Sequence, residues 1–194
     1  MRRPPTKKEL TIAMYQKGIA VDLIAELLQA PQDYVRSTLA MPEQSAATLA
    51  MAYRHDHPDT LALYCSDGRF TRAVEELCDT LGADRIDTIT IPGGPGLLDI
   101  GKLALSDRAT VTKSLGFLVQ GHQIKTVVLV AHAGCGYYRN RYPRKSATEV
   151  EAMQYADLRA AREYVQTEYK TKVHCYYARV EDNQIAFYGD GHTG

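Results

Sequence analysis

Two apolar runs, Leu61-Ala62-Leu63-Tyr64 and Thr126-Val127-Val128-Leu129-Val130-Ala131, each stop at a residue able to ligate a metal. Both are short, continuous in hydrophobicity and mostly β-favouring, the pattern of strands in a parallel sheet buried on both faces. In an open α/β sheet the ligand crevice lies just beyond the carboxyl ends of the strands. The first run leads into Cys65-Ser66-Asp67-Gly68-Arg69 and the second into His132-Ala133-Gly134-Cys135. Cys65 and His132 are therefore expected to be neighbours although 67 positions separate them. Gly134 and Gly136 let the chain turn tightly enough for His132 and Cys135 to face one ion.

Cys65, His132 and Cys135 together offer two thiolates and one imidazole. Zn2+ accepts that set with one coordination position left for water, the arrangement of a catalytic rather than a structural zinc site. Ser66-Asp67-Gly68 reads equally as turn chemistry. The other two cysteines differ in setting. Cys78 shares one face of a helix over 71–82 with Val74, Leu77 and Leu81, and Cys175 sits in the strand-like Val173-His174-Cys175-Tyr176-Tyr177; neither has ligand spacing, so both are expected in the core. Four cysteines without a signal peptide do not suggest a disulfide framework. A reducing cytoplasm, which keeps thiols available as ligands, is the expected location.

At 194 residues the chain can bury one substantial core and carry a small appendage. Its 23 basic and 23 acidic residues leave no global field for nucleic acid or a membrane surface, and no apolar run approaches the roughly 20 residues that span a bilayer. A soluble enzyme-sized domain is expected.

Residues 1–44 read as a helical arm. Leu10, Ala13 and Met14 form one helical stripe, Val21, Ile24, Ala25 and Leu28 a second, and Pro31 opens a third with Tyr34, Val35 and Leu39. The second and third have the look of a helix-turn-helix, with Gln32, Arg36 and Ser37 open to polar contacts. The alternative is an arm that packs on the main domain or on a second subunit.

From residue 45 to 194 strand and helix alternate. The spacing predicts strands over 61–65, 86–91, 126–131, 172–179 and 184–188, and helices over 72–81 and 109–120. Ser146-Ala147-Thr148-Glu149 is a capping box opening a long helix over 147–169. Pro92-Gly93-Gly94-Pro95-Gly96 is expected as a tight loop walling the crevice, its glycines alternatively presenting amides to an anion. Arg139 to Lys145 is expected as a basic loop, either merely solvated or attracting a small anion such as bicarbonate. His55-Asp56-His57 is expected at the surface.

The order of CxDxRF over Cys65–Phe70, a glycine pair at Gly93-Gly94 and HxxCGxY over His132–Tyr137 resembles the β-class carbonic anhydrases over about residues 60–190. The resemblance implies an α/β fold, a mostly parallel sheet flanked by helices with an antiparallel extension. It implies Cys65, His132 and Cys135 as zinc ligands, Asp67 and Arg69 as a dyad beside the metal, and Gly93 and Gly94 in the substrate pocket. The implied reaction is reversible hydration of CO2 to bicarbonate by hydroxide on zinc, in a homodimer or an assembly of dimers. Asp67 would accept a hydrogen bond from the water, and Arg69 would keep Asp67 ionised and off the metal. The second-strand loop departs from the Arg-Asn-Ala-Gly-Asn run of well-studied members. Two other readings stand beside this one: a zinc hydrolase for COS or CS2, and a non-catalytic zinc protein whose N-terminal helices contact DNA or a partner.

Overall fold

Five strands, β1 (Thr60–Cys65), β2 (Asp87–Ile91), β3 (Thr126–His132), β4 (Lys172–Glu181) and β5 (Gln184–Gly189), form one sheet in the order β2-β1-β3-β4-β5. The first four are parallel, and β5 returns antiparallel to β4. Asp182 and Asn183, both at positive φ (49° and 62°), make the two-residue turn that matches the right-handed twist of a hairpin. This computed structural model describes residues 3–40, 53–98 and 105–189. The chain divides into two compact units, residues 1–53 and 54–194.

Period-two alternation sorts the strand side chains onto two faces. Leu61, Leu63, Val127, Leu129, Ala131, Val173, Cys175 and Tyr177 share one core with α5 (Leu105–Gly121), α7 (Ala147–Tyr169) and the 3-10 turn Gly94–Leu98. Ala62, Tyr64, Val128, Val130 and Ala178 share the other with Phe70 and with Val74 and Cys78 of α4 (Thr71–Thr80). The result is the expected α/β class, with helices on both faces of a mostly parallel sheet. Cys78 and Cys175 are buried in these cores, and none of the four cysteines forms a disulfide.

α7 begins where the capping box places it. Ser146 Oγ accepts from the Glu149 amide at 3.2 Å, and Glu149 Oε2 accepts from the Ser146 amide at 2.8 Å. Its inward stripe, Val150, Gln154, Asp157, Leu158, Ala161 and Val165, follows helical spacing but includes two polar residues.

In the N-terminal unit α1 (Lys7–Gln16), α2 (Val21–Leu27) and α3 (Gln32–Thr38) surround buried Ile24, Ala25 and Val35. Gln29 at φ 47° and Pro31 make the α2–α3 turn. The expected boundary at residues 44 and 45 lies outside the described residues.

Three local expectations are corrected. The stretch 139–145 is not all loop, because α6 (Gly136–Arg141) takes up its first half. The 92–96 loop tightens into the 3-10 turn, and α5 begins four residues before Ala109. Among the described residues no helix is long and apolar enough to cross a membrane.

Ser146→Ala is expected to cost about 1 kcal/mol in urea denaturation, the usual value of an N-cap. Lys145 and the Ser146 amide hold Glu149 at about 2, below its ordinary 4.5. A depressed carboxylate contributes stability above its unfolded pKa and loses it as pH falls through the folded one. Glu149→Gln should therefore lower the thermal midpoint at pH 7, with most of that difference gone by about pH 2.

Candidate metal centre

The strand order reverses between β1 and β3, the switch point where open α/β sheets bind ligands. Cys65 ends β1, His132 ends β3, and Cys135 follows within one turn and precedes α6. Their ligating atoms all lie within 4.8 Å of one another, and all three residues are buried. The two sulfurs are 3.7 Å apart.

His132 Nδ1 lies 2.9 Å from the carbonyl oxygen of Ala133. A carbonyl only accepts, so Nδ1 carries the ring proton and Nε2 keeps its lone pair. Nε2 is buried and has no hydrogen-bond partner among the described residues. A buried, unsatisfied ring nitrogen is expensive, and a cation among two sulfurs satisfies it. Phe70 tilts over the imidazole with ring centroids 4.3 Å apart and holds its plane.

The contact with Cys135, helped by the neighbouring His132 side chain and the amides of Gly93 and Asp67, lowers the Cys65 thiol against the opposing effect of burial, and the same contact and burial push Cys135 up. These surroundings favour a negative sulfur at Cys65. The donor set, two sulfurs and one imidazole, fits Zn2+.

Asp67 and Arg69 meet in the loop after β1. Arg69 Nε donates to Asp67 Oδ1 at 2.9 Å and Nη2 to Oδ2 at 2.6 Å. The Arg69 amide adds a third bond to Oδ1 at 3.2 Å. This fork holds Asp67 at about 2, so it is a carboxylate at any ordinary pH.

Gly93 and Gly94 follow β2, both at positive φ (87° and 53°). A Cβ on Gly94 would sit 2.8 Å from the backbone nitrogen of Cys65, and one on Gly93 would sit 2.5 Å from the Tyr137 ring. Beside the His132–Cys135 turn opens a cleft of about 810 Å3 lined by Gly134, Gly136, Arg139, Asn140, Tyr142 and Gln154 among others. A second cavity of about 450 Å3, between α7 and β4, contains none of the ligating residues. In the basic stretch Arg141 donates to the Tyr137 hydroxyl at 2.9 Å, and Lys145 pairs with Glu149 at 2.7 Å. Those two charges are already engaged.

The histidines outside the centre have other roles. His57 stacks on His122 with centroids 3.9 Å apart, and His122 Nδ1 lies 2.6 Å from Asp87, at the opposite end of the sheet. Asp56 pairs with Arg54 and Arg85.

Sequence reasoning missed four residues around the centre: Tyr138, Gln154, Asp157 and Tyr177. Tyr138 donates to Asp157 at 2.5 Å, Tyr177 donates to Gln154 Oε1 at 2.9 Å, and Gln154 Nε2 donates to the His132 carbonyl at 2.9 Å. The available signal was Gln154 and Asp157, two polar residues on an otherwise apolar helix face.

A family model described as "Putative carbonic anhydrase" matches residues 56–186, more than half of the chain and all of both motifs. The chain belongs to this carbonic anhydrase family. Solved structures of other carbonic anhydrases resemble it at a distance. The β-carbonic anhydrase CcaA is 12% identical, with a TM-score of 0.49 over 71% of this chain and 80% of its own. The β-carbonic anhydrase CafA of Aspergillus fumigatus is 15% identical, with a TM-score of 0.44 over 95% of this chain and 92% of its own. A tetrameric β-carbonic anhydrase from Sordaria macrospora is 14% identical, with a TM-score of 0.45 over 71% and 82%. No curated protein sequence matches.

In this carbonic anhydrase family member the two glycines should differ in tolerance. Gly94→Ala combines left-handed backbone, which costs about 1–2 kcal/mol for a residue with a Cβ, with a clash against main chain. Gly93→Ala shares the left-handed backbone and meets the Tyr137 ring, a side chain rather than main chain. Urea denaturation should show the larger loss for Gly94→Ala, and equal losses would contradict the packing described.

Proposed function

We propose that this chain is a zinc-dependent carbonic anhydrase that reversibly hydrates CO2 to bicarbonate and a proton. The observation that carries the reading is the convergence of two buried sulfurs on a ring nitrogen that has no hydrogen-bond partner among the described residues. Cys65, His132 and Cys135 would hold the ion. When bound there, Zn2+ supplies the Lewis acidity that brings the pKa of water from 15.7 to about 7.

The protein's own groups then orient the reaction. Asp67, ionised by the Arg69 fork, accepts a hydrogen bond from the attacking water and aims its lone pair at the carbon of CO2. At about 2 its carboxyl holds no proton near neutrality, so Asp67 orients water and does not store the proton released. Arg69 ties both carboxylate oxygens and keeps them from swinging onto the ligand cluster. Phe70 shields the imidazole from solvent, and Gly93-Gly94 form the wall nearest Cys65, where the substrate pocket is assigned.

The working unit is proposed as a homodimer or an assembly of dimers. Leu23 and Leu27, one helical turn apart on α2, are 45% and 57% exposed, an apolar stripe that a second subunit would cover. A cytoplasmic location is proposed from the four cysteines that form no disulfide. A monomer in light scattering at micromolar concentration would contradict the assembly.

Metal analysis and stopped-flow CO2 hydration on one purified sample test the reading. Close to one zinc per chain is expected, lost in Cys135→Ser and kept in Cys78→Ser. Asp67→Asn and Arg69→Ala should keep zinc and lose about 100-fold in rate, with the double variant little worse than the worse single one. Full zinc in Cys135→Ser, or wild-type rate in Asp67→Asn, overturns the proposal.

A further inference from the structure

We infer that α7 is the positioning element of the metal centre: Gln154 holds the His132 ligand, and Asp157, through Tyr138, holds the turn that carries Cys135. The inference rests on the zinc reading above and assigns the geometry of that site to residues outside its motifs.

Gln154 and Asp157 are 2% and 3% exposed on a helix face that otherwise presents Val150, Leu158, Ala161 and Val165 to the core. Burying an amide and a carboxyl among aliphatic side chains is unfavourable unless each is hydrogen-bonded. Each is. The peptide between His132 and Ala133 is clamped at both ends: Gln154 Nε2 donates to the His132 carbonyl at 2.9 Å, and the Ala133 amide donates to the Ala178 carbonyl at 2.8 Å. The next carbonyl, that of Ala133, takes the His132 Nδ1 proton. With that plane fixed, the backbone torsion at His132 is fixed, and Nε2 is aimed at the two sulfurs. Tyr177 donates to Gln154 Oε1 and so selects which end of the amide faces His132.

One turn further along α7, Asp157 accepts from the Tyr138 hydroxyl at 2.5 Å. Tyr138 is in the first turn of the helix that Cys135 precedes, so this bond sets where Cys135 sits. The pair is closed by Gly96, where a Cβ would lie 2.0 Å from the Tyr138 oxygen and 3.3 Å from Asp157 Oδ2. Groups bonded to a ligand's own side chain typically govern metal affinity by 10–100-fold, and Gln154 and Asp157 act one step further out, on the backbone that carries the ligands.

The test compares the full-length wild type with Gln154→Leu, Tyr138→Phe and Tyr177→Phe. Two readouts are taken: zinc affinity by chelator competition, and the visible spectrum of the Co2+-loaded protein. Gln154→Leu and Tyr138→Phe are each expected to weaken zinc binding about 10-fold or more and to shift the cobalt bands, with wild-type far-UV circular dichroism. Tyr177→Phe leaves the Gln154 donor in place and should lose less than either. If Gln154→Leu fails to fold, the two tyrosine variants carry the comparison. Wild-type affinity and an unchanged cobalt spectrum in the folded variants overturn the inference and leave the zinc reading standing. A wild-type protein that takes up no Zn2+ overturns both.

Discussion

The parallel pairing of β1 with β3 is the constraint on which the rest depends. Leu61, Leu63, Val127 and Leu129 are fully buried in one face of that pair, and each contributes about 1.5–3 kcal/mol by leaving water. A slip of one residue would exchange the faces and drive Leu61 and Leu63 into the core occupied by Ala62 and Tyr64. It would also move Cys65 about 3.3 Å along the strand relative to His132. Hydrophobic register thus sets the distance between the two candidate ligands, Cys65 and His132. With Tyr64 opposite Val130, Cys65 and His132 finish within a step of one another.

Around that pairing the electrostatics are arranged in two separate sets. The sulfurs and the imidazole form a buried cluster whose negative charge is only partly met by the amides of Gly93 and Asp67. Asp67 carries its own charge a few atoms away and is neutralised by Arg69. On the proposed reading the separation matters, because a carboxylate released among the sulfurs would compete for a cation bound there. In Arg69 both ends of the fork are used on one carboxylate, which a lysine ammonium, as a point charge, does not reproduce.

Where the sequence was legible, the signals were local or periodic. The start of α7 follows from Ser146 and Glu149, while the left-handed backbone of Lys170 that ends it is a finding of the structure. The β4–β5 hairpin follows from Asp182-Asn183, and the two-faced strands from unbroken apolar runs. The stretch from Arg139 reads as a basic loop because its charges dominate the local pattern, whereas its first three residues continue α6, whose buried Tyr138 is tied to Asp157 19 positions later. Arg141 and Lys145 likewise read as available charge until the fold supplies Tyr137 and Glu149 as partners.

By itself the sequence determined the α/β class, the strand ends at which Cys65 and His132 lie and the His132–Cys135 turn, because these follow from apolar runs and residue types within a few positions; the Asp67–Arg69 pair was implied by the family resemblance. Only the tertiary structure decided that the three ligand atoms meet within 4.8 Å, and that Gly94 must pass against the Cys65 backbone. It also decided that Gln154 and Asp157 of a distant helix hold the turn in place. The physical reason is that a hydrogen bond between residues 19 or 22 positions apart leaves no periodic trace in the chain. Its partners become recognisable only when burial makes an unsatisfied polar group too costly to leave alone.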